Sequence, residues 1–391
     1  MVYLIIIFLK GKLQNMKILH TSDLHLGKRV NEISMLEEQI YILNKMLKAI
    51  DEEKPDCFII AGDVYDKSVP SGEAVTFFDK FLTELSSRKL PVFVISGNHD
   101  SAERMAFGSR LMEKNNVYFS PLFEGKIEPV KLTDQFGSVN FYLLPFLKAA
   151  NVRRFFEEEE IKSASQAIST VISHMNINKL ERNILVAHQF VIGAATCDSE
   201  ELSVGGTDEI DYHIMEDFDY VALGHIHGAQ RIGHEKIRYS GTPLKYSFSE
   251  VQHKKSLTVI EIKEKGSVTI GTVPLKPLHD MREIKGSFDE LMLKDSYMGT
   301  STEDYLHITL TDEEDVIDAV QKLKLIYPNL LRLDYDNIRT RTQRDFTESA
   351  DIREKSPMEL FDEFYEKQNG RVMAEEQRDY VLGVMEKVFD R

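Results

Sequence analysis

The sequence predicts an α/β protein built on a parallel sheet, and three observations carry that prediction. From Lys17 onward short apolar runs alternate with amphipathic stretches, the order that wraps helices around parallel strands. The runs are apolar throughout rather than at every second residue, as strands buried on both faces are. Several of them, "PVFVISGNHD" at 91–100 being the plainest, break off on an amide, an imidazole or a carboxylate. Polar side chains therefore collect where buried strands emerge.

The elements follow in order. "KILHTS" (17–22) reads as the first strand, and residues 35–53 as a helix with Ile40, Leu43, Leu47 and Ile50 on one stripe. "DCFIIAGD" (56–63) is the next strand, a second helix spans Glu73 to Ser87, and "PVFVISGN" is the third strand. After Phe119 the pattern turns β-rich, with "VNFYLLPF" (139–146) following the loop that holds Gly137, then a helix from Ser163 to His174. "NILVAHQ" (183–189) and "DYVALGHIH" (219–227) are two further strands. "IRYSGTPL" (237–244), "KSLTVIEI" (255–262) and "VTIGTVPL" (268–275) read as a closing antiparallel section, which completes a main domain over 16–275.

Residues 276–338 read as a smaller α+β unit: "DYLHITL" (304–310), a helix from Glu313 to Tyr327, and "LLRLDYD" (330–336). Residues 339–355 are charged and poor in large apolar side chains, as a linker is. The tail, 356–391, forms two helices. Ser356, Pro357 and Glu359 supply the N-cap, first-turn proline and capping-box acid of the first, and Gly370 is placed to end it.

Composition narrows the function. Against 48 basic residues stand 64 acidic ones, and a net charge of -16 excludes a surface that wraps nucleic acid on its own. Contact with DNA would need a local basic patch or bound metal. Cys57 and Cys197 are too few for a disulfide or zinc-thiolate framework, so a reducing cytoplasm is expected. The apolar run from Met1 to Leu9 falls well short of the ~20 residues that span a bilayer, and lysines follow it where a signal peptide needs them first. Residues 1–15 are expected to be an unordered extension, and no membrane segment is expected.

Five strand ends carry groups that can bind a metal: Asp23 and His25, Asp63, Asn98 with His99, His188, and His225 with His227. Ligands gather at such ends in open α/β sheets. In "DLH" and "HIH" the spacing of two puts both side chains on one side of extended backbone. Asp63 can bridge two cations, and Asn98 offers an oxygen without charge. Two dications facing two carboxylates keep excess positive charge for a phosphate and can acidify a water between them. Taken singly, an aspartate before a histidine is usually a turn. His20, inside a strand, reads as core, and His213, His234, His253, His279 and His307 have no partner at short spacing. The coincidence of five ends is what points to one site.

"SDLHLG", "AGDVYD", "SGNHDS", "AHQ" and "GHIH" together resemble the calcineurin-like metallophosphoesterase signature, from Met16 to Leu275. "GNHDSAERMAFGS" and "RYSGTPLKYSFSE", with the small unit and helical tail, resemble the nuclease subunits of SbcCD-type complexes. The resemblance implies a four-layer α/β/β/α sandwich with 276–338 as a capping domain. It implies one metal on Asp23, His25 and His227, a second on Asn98, His188 and His225, Asp63 bridging, and Mn²⁺ as the usual ion. His99 would stay off the metals as a catalytic group, oriented with Asp100. Asp66 stands where some relatives carry a histidine facing the site.

Lys28, Arg29, Arg104 and Arg110 could reach DNA phosphates or could be solvated loop charges, and Lys245 with Tyr246 offers a cation and a stacking ring. The tail's Leu360, Phe361, Phe364, Tyr380, Val384 and Val388 carry apolar surface that either folds back or docks on a partner. By resemblance the partner is an SbcC-type coiled-coil ATPase, and the subunit forms a homodimer within a heterotetramer. No "GxxxxGK[ST]" loop occurs, so ATP dependence would come from outside. The resulting expectation is a DNA nuclease, a double-strand exonuclease and hairpin or single-strand endonuclease of repair and recombination. Another calcineurin-like phosphatase or phosphodiesterase, and a scaffold without catalysis, are the alternatives.

Overall fold

Strands without a polar face are stable only where both faces are covered, and this requirement shapes the larger part of the chain. The computed structural model describes residues 6–8, 15–200, 208–341, 357–369 and 372–389. Two compact units are present, Met1–Glu283 with Ser301–His307, and Ile284–Thr300 with Ile308–Arg391.

In the first unit the chain forms β1 (Ile6–Phe8), β2 (Met16–Thr21), α1 (Leu36–Glu53), β3 (Cys57–Ala61), α2 (Gly72–Ser87), β4 (Val92–Ile95) and β5 (Val117–Phe119). Then come β6 (Val130–Asp134), β7 (Gly137–Leu144), α3 (Ala164–Ser173), β8 (Arg182–His188) and β9 (Tyr220–Gly224). The last strands are β10 (Gln230–Ile232), β11 (His234–Tyr239), β12 (Ser256–Ile262) and β13 (Val268–Pro274). One sheet has the order β13-β12-β2-β3-β4-β5, the other β1-β6-β7-β8-β9-β11-β10. Strands β2 to β5 run parallel in the first, and β7, β8, β9 and β11 in the second.

The sheets face each other across an apolar core in which Ile18, Ile59, Phe93 and Ile95 meet Phe141, Ile184, Val186 and Ala222. Ala167, Ile168 and Val171 of α3 cover the other face of the second sheet, against Leu185, Val221 and Ile237. Phe81 of α2 packs edge-on to Phe58 on the outside of the first. These are the four layers expected.

Several details differ from the sequence reading. In α1 the buried stripe is Ile42, Leu43, Met46, Leu47 and Ile50, with Ile40 only half-buried. The helix is turned so that Gln39 enters the interior, where its amide donates to the His25 carbonyl (2.7 Å) and accepts from the Gly27 N–H (2.9 Å). The closing section is not antiparallel throughout: β11 runs parallel to β9 and extends the second sheet, while β12 and β13 close the first. Ile6–Phe8 form a strand where no order was expected, because the open edge of β6 accepts their backbone in parallel. The rest of that extension, up to residue 14, lies outside the described residues.

A three-stranded sheet carries the chain onward in the order β14 (Met281–Gly286), β15 (Tyr305–Leu310) and β16 (Leu330–Tyr335). The helix expected from Glu313 shrinks to α4 (Ala319–Leu323). Asp318 takes a φ of 54°, and the Asn337 side chain donates to the Asp312 carbonyl (3.2 Å), which holds the acidic stretch before it out of a helix. The tail forms α5 (Pro357–Asn369) and α6 (Glu375–Phe389). Ser356, Gly370 and linker residues 342–355 lie outside the described residues. Among the described residues no helix is long and apolar enough to cross a membrane.

Phe93 of β4 and Phe141 of β7 stack at 4.3 Å with 18° between their planes, and both are fully buried. Replacing Phe93 with alanine is expected to lower unfolding free energy by about 3–5 kcal/mol. A urea titration checks this, and an unmoved midpoint would show that the sheets do not depend on that pair.

Candidate metal centre

Sheet pairing brings the carboxyl ends of β2, β3 and β4 beside those of β8 and β9. The join is backbone-close: the His188 ring donates from Nδ1 to the Ala61 carbonyl at 2.8 Å. Such closeness leaves no room for a methyl group at the turn. A Cβ on Gly97 would lie 2.1 Å from Asp63 Oδ1, and one on Gly62, at φ 88°, would lie 2.3 Å from His188 Nδ1. Beyond these glycines Asp23, His25, Asp63 and His225 all take positive φ, at 53°, 45°, 47° and 106°. Non-glycine residues held there cost on the order of 1–3 kcal/mol each, and such strain gathers at functional sites. The kinks are braced by backbone bonds from Asp23 N–H to Gly62 (3.0 Å) and from His25 N–H to Asp63 (3.0 Å). The His225 N–H crosses between sheets to Asp23 Oδ1 at 3.0 Å.

The groups turned inward are nearly all acceptors. With Nδ1–H given to Ala61, His188 presents Nε2 to Asn98 Oδ1 (3.0 Å), Asp63 Oδ2 (3.3 Å) and Asp23 Oδ1 (4.0 Å). A nitrogen so placed must hold a proton or a cation. Burial opposes charge on that ring, yet the Asp63 carboxylate outweighs it and pushes His188 up to about 9. Burial likewise pushes Asp63 up, but the charge of His188 and its hydrogen bond to the carboxylate prevail and hold that carboxyl well below the usual range. Burial lowers His25 to about 4 and His225 to about 3, and it raises Asp23 to about 6. Neutral imidazoles are what a metal requires.

His25 and His227 face each other through their Nε2 atoms at 3.2 Å, and His25 Nδ1, 3.6 Å from Asp66, is buried beyond hydrogen-bond reach of a partner. Asn98 Oδ1 also lies 2.9 Å from His225 Nδ1. Ligand atoms fall within 4.8 Å of one another in Asp23, His25 and His227, in Asp23, Asp63 and His188, and in His25, Asp63 and His99. This set of nitrogen and oxygen donors fits divalent transition ions. All seven candidate ligands are thus brought to one place, with His99 beside them.

The neighbours are less as expected. His99 sits at the rim, its Nδ1 donating to the Asp66 carbonyl (2.9 Å) and its Nε2 4.0 Å from Asp63. The carboxylate of Asp100 accepts from the N–H groups of Val64 (3.0 Å), Tyr65 (2.9 Å) and Gly97 (3.0 Å). It ties the loop after β4 to the loop after β3, and burial together with the Asp63 charge pushes it up to about 6. Asp66 pairs with Lys28 at 2.8 Å, so the Lys28 ammonium is already engaged.

Tyr246 is no stacking platform: it is buried, its hydroxyl donates to the Leu24 carbonyl (2.6 Å), and its ring lies edge-on to His25. Lys245 pairs with Asp280 at 2.9 Å. Arg29, Arg104 and Arg110 are exposed, with Arg29 and Arg104 bonded to the carbonyls of Glu32 and Ser68. Sequence reading missed Glu250 and Lys255, a buried pair behind His227. Glu250 ends the quoted "RYSGTPLKYSFSE", but nothing in its spacing marks it as buried. In the tail Phe364 (50%), Tyr380 (76%) and Val384 (45%) are exposed and Phe361 is half-buried. The side chains of Leu360 and Val388 lie outside the described residues.

Residues 16–229 match the family described as Calcineurin-like phosphoesterase, and residues 277–369 match the Type 5 capsule protein repressor C-terminal domain. The D subunit of the SbcCD nuclease of Staphylococcus epidermidis is 34% identical over 380 residues, covering 96% of this chain and 100% of that one. Its namesake from Staphylococcus saprophyticus is 34% identical over 379 residues, covering 96% and 99%. A solved structure from Thermus thermophilus aligns with a TM-score of 0.38 at 15% identity, over 66% of this chain and 99% of that one. The chain belongs to the calcineurin-like phosphoesterases and, within them, to the family of the SbcCD nuclease D subunits.

Proposed function

We propose that this chain is the metal-dependent nuclease subunit of an SbcCD-type complex and hydrolyses DNA phosphodiesters with two divalent ions, Mn²⁺ by preference. The observation that carries this is the acceptor-lined cage, in which His188 Nε2 faces three oxygens. On this reading Asp23, His25 and His227 would hold one ion and Asn98, His188 and His225 the other, with Asp63 shared between them. Bound there, two dications supply positive charge for the phosphate and lower the pKa of water.

The chain's own groups do the rest. Asp63 Oδ1 accepts the His99 N–H (2.9 Å), and the Asp66 carbonyl takes the ring's Nδ1–H, which leaves Nε2 to hold the mobile proton. At the rim of the cage that nitrogen is placed to protonate a departing 3′ oxygen or to stabilise charge on phosphorus. Asp100 is a positioning group that keeps His99 and Asp63 in register. Arg29, Arg104 and Arg110 contact phosphates flanking the scissile one. The activity is that of a double-strand exonuclease and hairpin or single-strand endonuclease in DNA repair and recombination in the cytoplasm. The apolar tail docks on an SbcC-type coiled-coil ATPase, and two copies form a homodimer within a heterotetramer. Residues 276–338 act as a capping domain.

Purified protein with Mn²⁺ is expected to cut hairpin and linear duplex DNA. Asp63→Ala abolishes cutting, and His99→Ala lowers it by about 10²- to 10⁴-fold while Mn²⁺ binding measured by calorimetry persists. Brisk turnover of phosphoserine peptides with DNA left intact would favour a phosphatase instead, and inertness toward both would favour a scaffold. Mn²⁺ at about 100 times its dissociation constant should add about 2.7 kcal/mol of stability, seen as a rise in melting temperature that EDTA reverses. No rise with any transition ion would end the two-metal reading. Deleting residues 356–391 should abolish co-purification with the ATPase and leave cleavage of simple phosphodiesters intact; retained co-purification would reject the docking role.

A further inference from the structure

His227 is held at every polar atom of its backbone and at the outer nitrogen of its ring. Its N–H donates to Glu200 Oε1 at 2.7 Å. Its carbonyl accepts from Lys255 Nζ at 2.9 Å and from the Thr242 N–H at 3.1 Å. Its Nδ1 lies 2.7 Å from the hydroxyl oxygen of Ser199, and that oxygen lies 2.6 Å from Glu250 Oε1. Glu250 is fully buried and is met by the ammonium of Lys255 and by the Tyr246 N–H (3.1 Å). None of these partners is one of the seven candidate ligands, although ligand atoms of Cys197, His227 and Glu250 also fall within 4.8 Å of one another.

The hydrogen count decides what Ser199 does. Glu250, paired with a buried lysine, is an acceptor only, so the single Ser199 hydroxyl proton must point to it. The Ser199 oxygen then has only lone pairs to offer its other neighbours, so the Cys197 thiol at 3.2 Å donates to it and His227 Nδ1 must carry the ring's proton. The other ring nitrogen, Nε2, is left bare toward His25 in the cage. A buried, charge-assisted chain of this kind is stronger than its neutral equivalent.

We propose that Ser199 is a positioning residue for the metal centre. Clamped between the Glu250 carboxylate and His227, its hydroxyl fixes the Nδ1–H tautomer and presents Nε2 to the cation. Lys255 pairs with Glu250 and keeps it an acceptor for the Ser199 hydroxyl. The loop bearing Ser199 is itself pinned by the Asp198 N–H to Ser249 (3.0 Å) and by the paired amide contacts of Ala195 with Gln230 (2.9 and 2.8 Å). Outer partners of metal-binding histidines typically change affinity by about 10- to 100-fold when removed.

This inference rests on the two-metal reading, and its test separates the two. Long-range ¹⁵N NMR of the metal-free full chain reads the His227 tautomer, and calorimetry reads Mn²⁺ affinity. Wild type should show the Nδ1–H form. Ser199→Ala should give a mixture of tautomers and bind Mn²⁺ about 10- to 100-fold more weakly, and Ser199→Thr, which keeps the hydroxyl, should restore both. Unchanged affinity in Ser199→Ala, or failure of Ser199→Thr to restore it in a chain that melts normally, overturns the proposal. A wild-type chain that binds no Mn²⁺ overturns the metal reading, and the tautomer measurement then still shows whether Ser199 governs His227.

Discussion

One buried constraint governs this molecule: imidazole, amide and carboxylate groups from two sheets turn their acceptor atoms toward the same small volume. Left alone they repel. His188 relieves the conflict by taking a proton, which the nearby Asp63 carboxylate makes favourable despite burial. On the proposed function a cation would relieve it better, because it would also meet the facing nitrogens of His25 and His227. The protein meets the strain of that arrangement elsewhere, in an apolar inter-sheet core and in strands paired close to the point where the backbone kinks.

The same logic explains the polar residues just outside the cage. Each takes hold of a loop whose side chain must not wander. Asp100 binds three backbone N–H groups and so joins the Asp63 loop to the Asn98 loop. Gln39 grips the His25 loop through the Gly27 N–H and the His25 carbonyl. Glu250 and Lys255 stand behind His227. Removing one member of such a buried pair leaves an uncompensated charge, which is commonly worth about 3–5 kcal/mol. The orientation of the cage side chains thus depends on residues outside the cage.

Which of this could be read beforehand follows from range. Asp23, Asp63, Asn98, His188 and His225 each end an apolar run, and local pattern alone places them at strand ends. The outer partners come from remote segments: Glu250 lies 51 residues from Ser199, and Gln39 lies 207 residues from Tyr246. No local period encodes such meetings. Beside Lys245, Tyr246 reads as a stacking ring, yet tertiary packing buries it against His25. The α1 stripe was misplaced for a related reason, since a polar residue, Gln39, takes an interior position on account of the bonds it makes there. The strand expected at Ile237 starts earlier, at His234, and pairs in parallel; its polar face of Lys236 and Arg238 gives no local sign of which neighbour it joins.

Electrostatics sets the terms on which a substrate can approach. The chain carries a net charge of -16, and three of its lysines are already matched: Lys28 with Asp66, Lys245 with Asp280, Lys255 with Glu250. Arg29 and Arg104 bond to neutral carbonyls and so keep their charge for other partners. A polyanion approaching this surface meets net repulsion except where metal ions and a few arginines offset it. On the proposed function, then, the ions serve recognition as well as hydrolysis, and without them the acidic body would turn DNA away from the catalytic groups it needs to reach.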